Sequence, residues 1–180
     1  IKPALEQATL GFAIDHIKFI PEQDLWLMPG EKLQVEMKAT PGKVAWFNNG
    51  VRMVEADSLS AGIRGIYRGE YLIKQSDTLK QQTINTVLYD PKTKRAAKTS
   101  TQQKLTVISP LKTLIGVTTG DRHYMNYGLG EDRLGAAKLG YIDTLIKLEV
   151  IGKMGNSYRV RLTDNMQAYV PERNLRLLNG

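Results

Sequence analysis

The chain has 180 residues, 42% of them hydrophobic, and a formal net charge of +7. That is enough apolar material for one large domain or two small ones, and it excludes a disordered chain. There is no cysteine, which excludes disulfides, thiolate metal sites and a cysteine nucleophile.

The dominant hydrophobic period is two, so strands are expected throughout. In chain order, ALEQATLGFAI (4–14) is the one helix candidate, with partial helical spacing broken by Gly11. HIKFI (16–20) and LWLM (25–28) are short apolar runs that read as weak strands. KLQVEMK (32–38) alternates Leu33, Val35 and Met37 with Gln34, Glu36 and Lys38, the pattern of a half-buried strand. GIYRGEYLIK (65–74) sets Tyr67, Tyr71 and Ile73 against Arg68, Glu70 and Lys74. QTINTVLYD (82–90) is rich in β-branched residues and stops at Asp90-Pro91, and KLTVI (104–108) points Leu105 and Val107 together. Pro29-Gly30, Pro41-Gly42 and Asn48-Asn49-Gly50 punctuate these runs as turns. The spacing predicts a β-sandwich over 1–109.

Ser109-Pro110 reads as a boundary. After it, IKLEVI (146–151), SYRVRLT (157–163) and QAYVP (167–171) are short strands joined by tight turns at Gly155-Asn156 and Thr163-Asp164-Asn165. In the second of these, Tyr158, Val160 and Leu162 point in and Arg159 and Arg161 point out. NLRLL (174–178) is expected to close a small barrel over 110–180. The fold class predicted is therefore all-β.

The charge is spread along the chain. Residues 1–109 carry 15 basic and 11 acidic side chains, and residues 110–180 carry 10 and 7. A mild positive field suits an anionic partner (nucleic acid, a membrane surface or an anionic wall polymer) without choosing among them. No run of about 18 apolar residues occurs, so no membrane-spanning helix is expected. The chain opens on Ile1 rather than a start methionine; it reads as a trimmed product, and the missing signal segment does not argue against export.

Charge, tyrosine and glycine crowd together in GDRHYMNYGLGEDRLGAAKLGY (120–141). Its G-x-G at 128–130 lacks the further glycine that a dinucleotide fingerprint needs, because that position is Arg133. The chain's two histidines, His16 and His123, fall in different expected domains and outside any H-E-x-x-H pattern. No three-ligand catalytic zinc site is expected from them. There is no G-x-S-x-G, and Glu131 and Asp132 are adjacent, so on an extended chain they diverge rather than face each other across a cleft. No catalytic residue and no metal ligand is assigned. Arg159, Arg161, Tyr169 and Arg173 give a minority case for single-stranded nucleic acid, weakened by acidic residues that interrupt every basic cluster.

The pieces Met125-Asn126-Tyr127, the loop 128–140, IKLEVIGKMGN (146–156), YRVRL (158–162) and AYVPERNL (168–175) resemble bacterial SH3-like domains over about residues 117–178. The opening departs from that pattern, with Tyr127 and Gly128 where valine and arginine are usual. GEDRLGAAKLGYIDT (130–144), joined to IGKMGNSYRVRL, is similar to the region preceding the catalytic domain in N-acetylmuramoyl-L-alanine amidases of Bacteroides-type bacteria. PGEKL (29–33), PGKVAWF (41–47) and GIYRGEYLIKQSD (65–77) resemble an immunoglobulin-like sandwich worded in the same way.

The resemblance implies an exported, periplasmic or cell-envelope protein whose amidase chemistry and zinc belong to a separate catalytic domain. This chain would then be the non-catalytic front end, without a cofactor of its own, targeting or positioning the hydrolase on peptidoglycan. Peptidoglycan or its stem peptides are the expected partners, with the catalytic domain of the same polypeptide as another. Arg122, Tyr124, Tyr127, Glu131, Asp132, Arg133 and Tyr141 are the candidate ligand-binding residues. The arginines would meet stem-peptide carboxylates and the tyrosines would give flat apolar contact, although at least two of the tyrosines have a competing core reading. The alternatives are a docking or regulatory module without glycan contact, and a basic nucleic-acid-binding barrel.

Overall fold

The computed structural model describes residues 7–109, 111–128 and 137–178. The first nine strands are β1 (Ile14–Ile20), β2 (Leu25–Leu27), β3 (Lys32–Ala39), β4 (Val44–Phe47), β5 (Val51–Glu55), β6 (Ile66–Leu72), β7 (Asn85–Asp90), β8 (Arg95–Ser100) and β9 (Leu105–Val107). They are followed by β10 (Leu114–Thr118), β11 (His123–Asn126), β12 (Lys138–Ile142), β13 (Lys147–Met154), β14 (Ser157–Thr163), β15 (Met166–Pro171) and β16 (Leu175–Leu177). The helical elements among the described residues are one turn of α-helix, α1 (Ser58–Ala61), and a 3-10 turn at Glu172–Asn174. The chain is all-β, as its period of two requires.

The helix candidate over 4–14 does not form in its described part. Residues 7–13 have no helical turn, Gly11 is left-handed at φ 72°, and β1 begins at Ile14. Only Ile14 of the candidate enters β1, whose period of two is set by the buried Ile17 and Phe19 beyond it.

Two compact units divide the chain, and they are not the contiguous spans on either side of 109. The first takes the described residues up to Gln23, then Glu31–Ile73 and Lys80–Leu105. The second takes Asp24–Gly30, Lys74–Leu79 and the described residues from Thr106 on.

In the first unit the strand order is β1-β3-β6-β5-β4-β7-β8. Leu33, Val35, Met37 and Ala39 line the inside of β3, with Ala45 and Phe47 from β4, Tyr67 from β6 and Leu88 from β7. β5 is the corner: Val51–Met53 pair with β4, while Val54 and Glu55 pair with β6. β1 and β8, at the two ends of the order, lie side by side, so the sheet almost closes around its core. Gly69 is the position that makes this core fit. A Cβ there would stand 2.5 Å from the Phe47 ring, so the inward face of β6 needs a glycine between Tyr67 and Tyr71. The Asn48-Asn49 turn, with φ of 44° and 58°, joins β4 to β5 with the mirror-image twist that hairpins favour.

One charged pair is drawn into this unit. Lys43 Nζ lies 2.8 Å from Asp90 Oδ2, with the Asp90 side chain only 7% exposed. The Lys43 hydrogen bond, helped by the Lys92 backbone N–H, lowers the Asp90 carboxyl from 3.8 to about 2. A depressed carboxyl stabilises the fold above its unfolded pKa, and that contribution is lost as pH falls through the folded value. The urea midpoint of the wild-type chain is therefore expected to fall between pH 4 and pH 2. Asp90→Asn should lower the midpoint at pH 7 and flatten its fall over that window; an unchanged slope would show that Asp90 is not responsible.

In the second unit the order is β12-β11-β15-β14-β13-β10-β16, and β2 also pairs with β13. β13, β14 and β15 form an antiparallel meander, and β16 returns to pair with β10. The core gathers Ile142, Leu148, Val150, Tyr158, Val160, Ala168, Val170 and Leu175. Ile146, expected to share the face of Leu148 and Val150, precedes the strand and is exposed. Gly116 lets Leu175 cross β10, since a Cβ there would meet the leucine at 2.5 Å. β2 lies along the end of β13, opposing Trp26 to Lys153 and Leu25 to Met154. Trp26 meets the Tyr158 ring edge-on at 5.6 Å between centroids. Trp26→Ala should destabilise the second unit by about 2 kcal/mol, less than a fully buried tryptophan would because Trp26 is half-buried. Urea unfolding followed by circular dichroism measures this, and a change below about 0.5 kcal/mol would mean that β2 is not part of the working core.

Candidate functional site

The chain between β10 and β13 is held at its base by one buried hydroxyl. Thr118 is fully buried; its Oγ1 donates to the Asp143 carbonyl at 2.7 Å and accepts from the Ile146 N–H at 2.8 Å. Above this clasp β11 and β12 form an antiparallel hairpin that opposes Tyr124 to Tyr141 and Met125 to Gly140. Alternation sends Met125 against the core and leaves Tyr124 and Tyr141 on the other face.

There the two rings stack, centroids 3.8 Å apart and 30° between planes. The Arg122 guanidinium lies 4.9 Å from the centroid of the Tyr141 ring. Lys138 Nζ lies 4.1 Å from the centroid of the Tyr124 ring. Both distances are within the range in which a cation is drawn to a ring face. Arg122 Nε is also 3.3 Å from Asp143 Oδ1. That pair is solvent-exposed, so it orients the guanidinium more than it stabilises the fold. The result is a four-membered rib, Arg122–Tyr141–Tyr124–Lys138, with a cation at either end.

The rib revises the role expected of two tyrosines. Neither is core: Tyr141 is 52% exposed and Tyr124 half-buried. Their faces are taken up by each other and by the two cations, so they present edges, hydroxyls and positive charge instead of a flat platform. Tyr127 stands elsewhere. It is 65% exposed, its N–H donates to the Ala137 carbonyl at 2.7 Å, and it borders a cleft of about 370 Å³ shared with Ile151, Arg161, Asp164 and Gln167. Tyr127 is thus the candidate ring left to give flat contact.

Glu131, Asp132 and Arg133 lie outside the described residues. Of the seven candidates the structure brings Arg122, Tyr124 and Tyr141 together and sets Tyr127 on the neighbouring cleft. Lys138 is the member that sequence reading missed. Its signal is the hairpin register, which places Lys138 opposite Asn126, two residues beyond Tyr124, and that register rests on a pairing that periodicity alone does not supply.

The other chemistry-bearing residues sit as follows. His123 Nδ1 is 3.2 Å from the Asp121 carbonyl, which can only accept, so the proton belongs on Nδ1. His16 is exposed. Among the described residues no three His, Asp or Glu side chains gather as a metal-holding group. Arg161 Nε faces Glu149 at 3.0 Å, Arg159 Nη2 donates to the Ile151 carbonyl at 3.1 Å, and Tyr169 is buried. Those three side chains do not make an open basic groove with stacking rings. No helix among the described residues is long and apolar enough to cross a membrane.

The hydrogen bond with Tyr124, followed by partial desolvation, pushes the Tyr141 phenol above its ordinary value of 10.0. Tyr124→Phe removes that bond and should bring the Tyr141 ionisation back toward 10.0. Site-resolved NMR titration of ring-labelled tyrosine reads the Tyr141 shift; an unchanged Tyr141 titration in Tyr124→Phe would mean that the two phenols are not hydrogen-bonded. No protein-family model, curated protein or solved structure matches the chain.

Proposed function

We propose that this chain is a non-catalytic pair of β-modules of the cell envelope that positions a peptidoglycan hydrolase, an N-acetylmuramoyl-L-alanine amidase, on the wall. In this reading the protein is exported, and the zinc chemistry belongs to a separate catalytic domain. Strand succession supports an immunoglobulin-like first module. Lettered A to G in chain order, β1 and β3–β8 run A-B-E-D-C-F-G, the ABED and CFG groups of a constant-type sandwich, here joined because D also pairs with C. An SH3-like second module is supported by the β13-β14-β15 meander, the β11–β12 hairpin ahead of it, the 3-10 turn before β16, and the pairing of β16 with β10.

The observation that carries the function is the cation-tipped rib. Its guanidinium and ammonium are pre-positioned by rings and by Asp143, so little side-chain freedom is lost when they meet a carboxylate. Stem peptides bear such carboxylates. Tyr127, beside its cleft, would lie against the adjoining sugar or peptide. Arg133, in the same loop by sequence, would add a second guanidinium.

Co-sedimentation with purified sacculi tests the reading. The wild-type chain should pellet with sacculi, and less so as salt rises. The doubly substituted Arg122→Ala, Lys138→Ala chain should bind roughly fivefold more weakly, the loss expected of two exposed charge contacts. Both residues are on the surface, so circular dichroism should stay unchanged. A wild-type chain that stays in the supernatant at low salt would sink wall targeting and favour docking onto the hydrolase itself.

A further inference from the structure

The two outer faces of the first unit are dressed differently. On β1, β3 and β6 the charges neutralise one another: Lys32 with Glu70 at 3.1 Å, Arg68 with Glu36 at 2.9 Å, and Lys18 with Glu36 at 3.9 Å. On β5, β4, β7 and β8 the pattern is otherwise. Ala45, Phe47, Met53 and Leu88 point into the core, so alternation turns Val44, Trp46, Arg52, Val87, Tyr89 and Lys98 outward. Cross-strand register aligns four of them in one row, Arg52–Trp46–Val87–Lys98, with Val44 and Tyr89 opposed beside it. The Trp46 and Tyr89 rings are 6.2 Å apart. No outward position of these four strands is acidic. Among the described residues neither Arg52 nor Lys98 has an ion-pair partner, and both are exposed.

We propose that this face is a second binding site, for an anionic polysaccharide whose ring faces lie on Trp46, Val87 and Tyr89 and whose carboxylates meet Arg52 and Lys98. Three interstrand gaps of about 4.8 Å separate the two cations, so their backbones stand roughly 14 Å apart with apolar side chains between. That spacing suits a chain with anions set far apart and apolar ring faces in between. It does not suit single-stranded nucleic acid, which needs a basic groove that follows every phosphate. An extended peptide finds no free backbone partners on the face of a paired sheet and binds at edges instead. Lys92 and Lys94, in the β7–β8 turn, lie beyond Tyr89 along the strands and add to the positive field of this sheet. This site is separate from the β11–β12 rib and stands whether or not the rib recognises stem peptides.

Affinity electrophoresis of the full chain through gels containing hyaluronate, whose carboxylates fall on alternate sugars, with neutral dextran as the comparison, tests the proposal. Retardation by hyaluronate and not by dextran is expected, weakened at least fivefold in Lys98→Glu and in Trp46→Ala. Lys98 is a surface residue, so Lys98→Glu keeps the experiment decisive even if Trp46→Ala fails to fold. Lys32→Glu makes the same change in net charge on the paired face and should leave retardation within twofold of the wild-type chain. The proposal is overturned by absent retardation, or by equal losses in Lys98→Glu and Lys32→Glu. It is equally overturned if an oligothymidylate of matched charge competes better than a hyaluronate oligosaccharide. Retardation lost in Arg122→Ala but kept in Lys98→Glu would move the site to the rib and overturn it as well.

Discussion

The pairing of β2 with the end of β13 is the constraint on which the second unit depends. Trp26 comes from the first fifth of the chain, yet it packs against a core otherwise made of residues beyond 106. The strand is only three residues long, so it has little stability of its own and exists because β13 offers it a free edge. Backbone bonds from Gly155 to Asp24 and from Ile108 to Leu27, each 2.9 Å, anchor both ends of the segment. Unpaired, the end of β13 would leave polar groups and the flank of Tyr158 facing water. Exposing that flank costs apolar burial; the backbone groups answer to a second rule, that a buried donor or acceptor has to find a partner.

The same rule shapes how function is displayed. Regular pairing consumes the backbone, so recognition falls to side chains on outward faces. The β11–β12 hairpin can hold its rib because the buried Thr118 hydroxyl clasps its base and Met125 anchors its inner face. With those two attachments in place, Tyr124 and Tyr141 are placed opposite each other by register and stack. Arg122 and Lys138 then have ring faces to rest on. The positive charge at the ends of the rib is thus a product of hairpin geometry, and the net charge of the whole chain contributes only the background field.

The two faces of the first unit make a comparable point about charge. Glu36 and Glu70 stand at positions where the register brings lysine and arginine from neighbouring strands, so that face is internally satisfied. Arg52 and Lys98 stand on strands whose outward neighbours are apolar. Charges that the fold leaves unpaired are the ones open to a ligand.

The amino-acid sequence by itself determined the all-β class and the inward faces of its clearest strands. Leu33, Val35 and Met37, and likewise Val150, Tyr158 and Val160, alternate because one side of each strand is apolar, and that information is local. It also placed the Asn48-Asn49-Gly50 turn, whose residues tolerate positive φ, and it singled out the stretch that holds the rib. β5, β8, β11 and β12 lack a clean alternation and escaped a reading based on period. The tertiary structure alone decided that residues 24–30 join the second unit, that Gly69 and not a larger residue lies over Phe47, and that Tyr124, Tyr141, Arg122 and Lys138 form one rib while Tyr127 does not. Each of these depends on which strand edges meet and in what register, and that choice is made by the packing of the whole chain rather than by any short window of it.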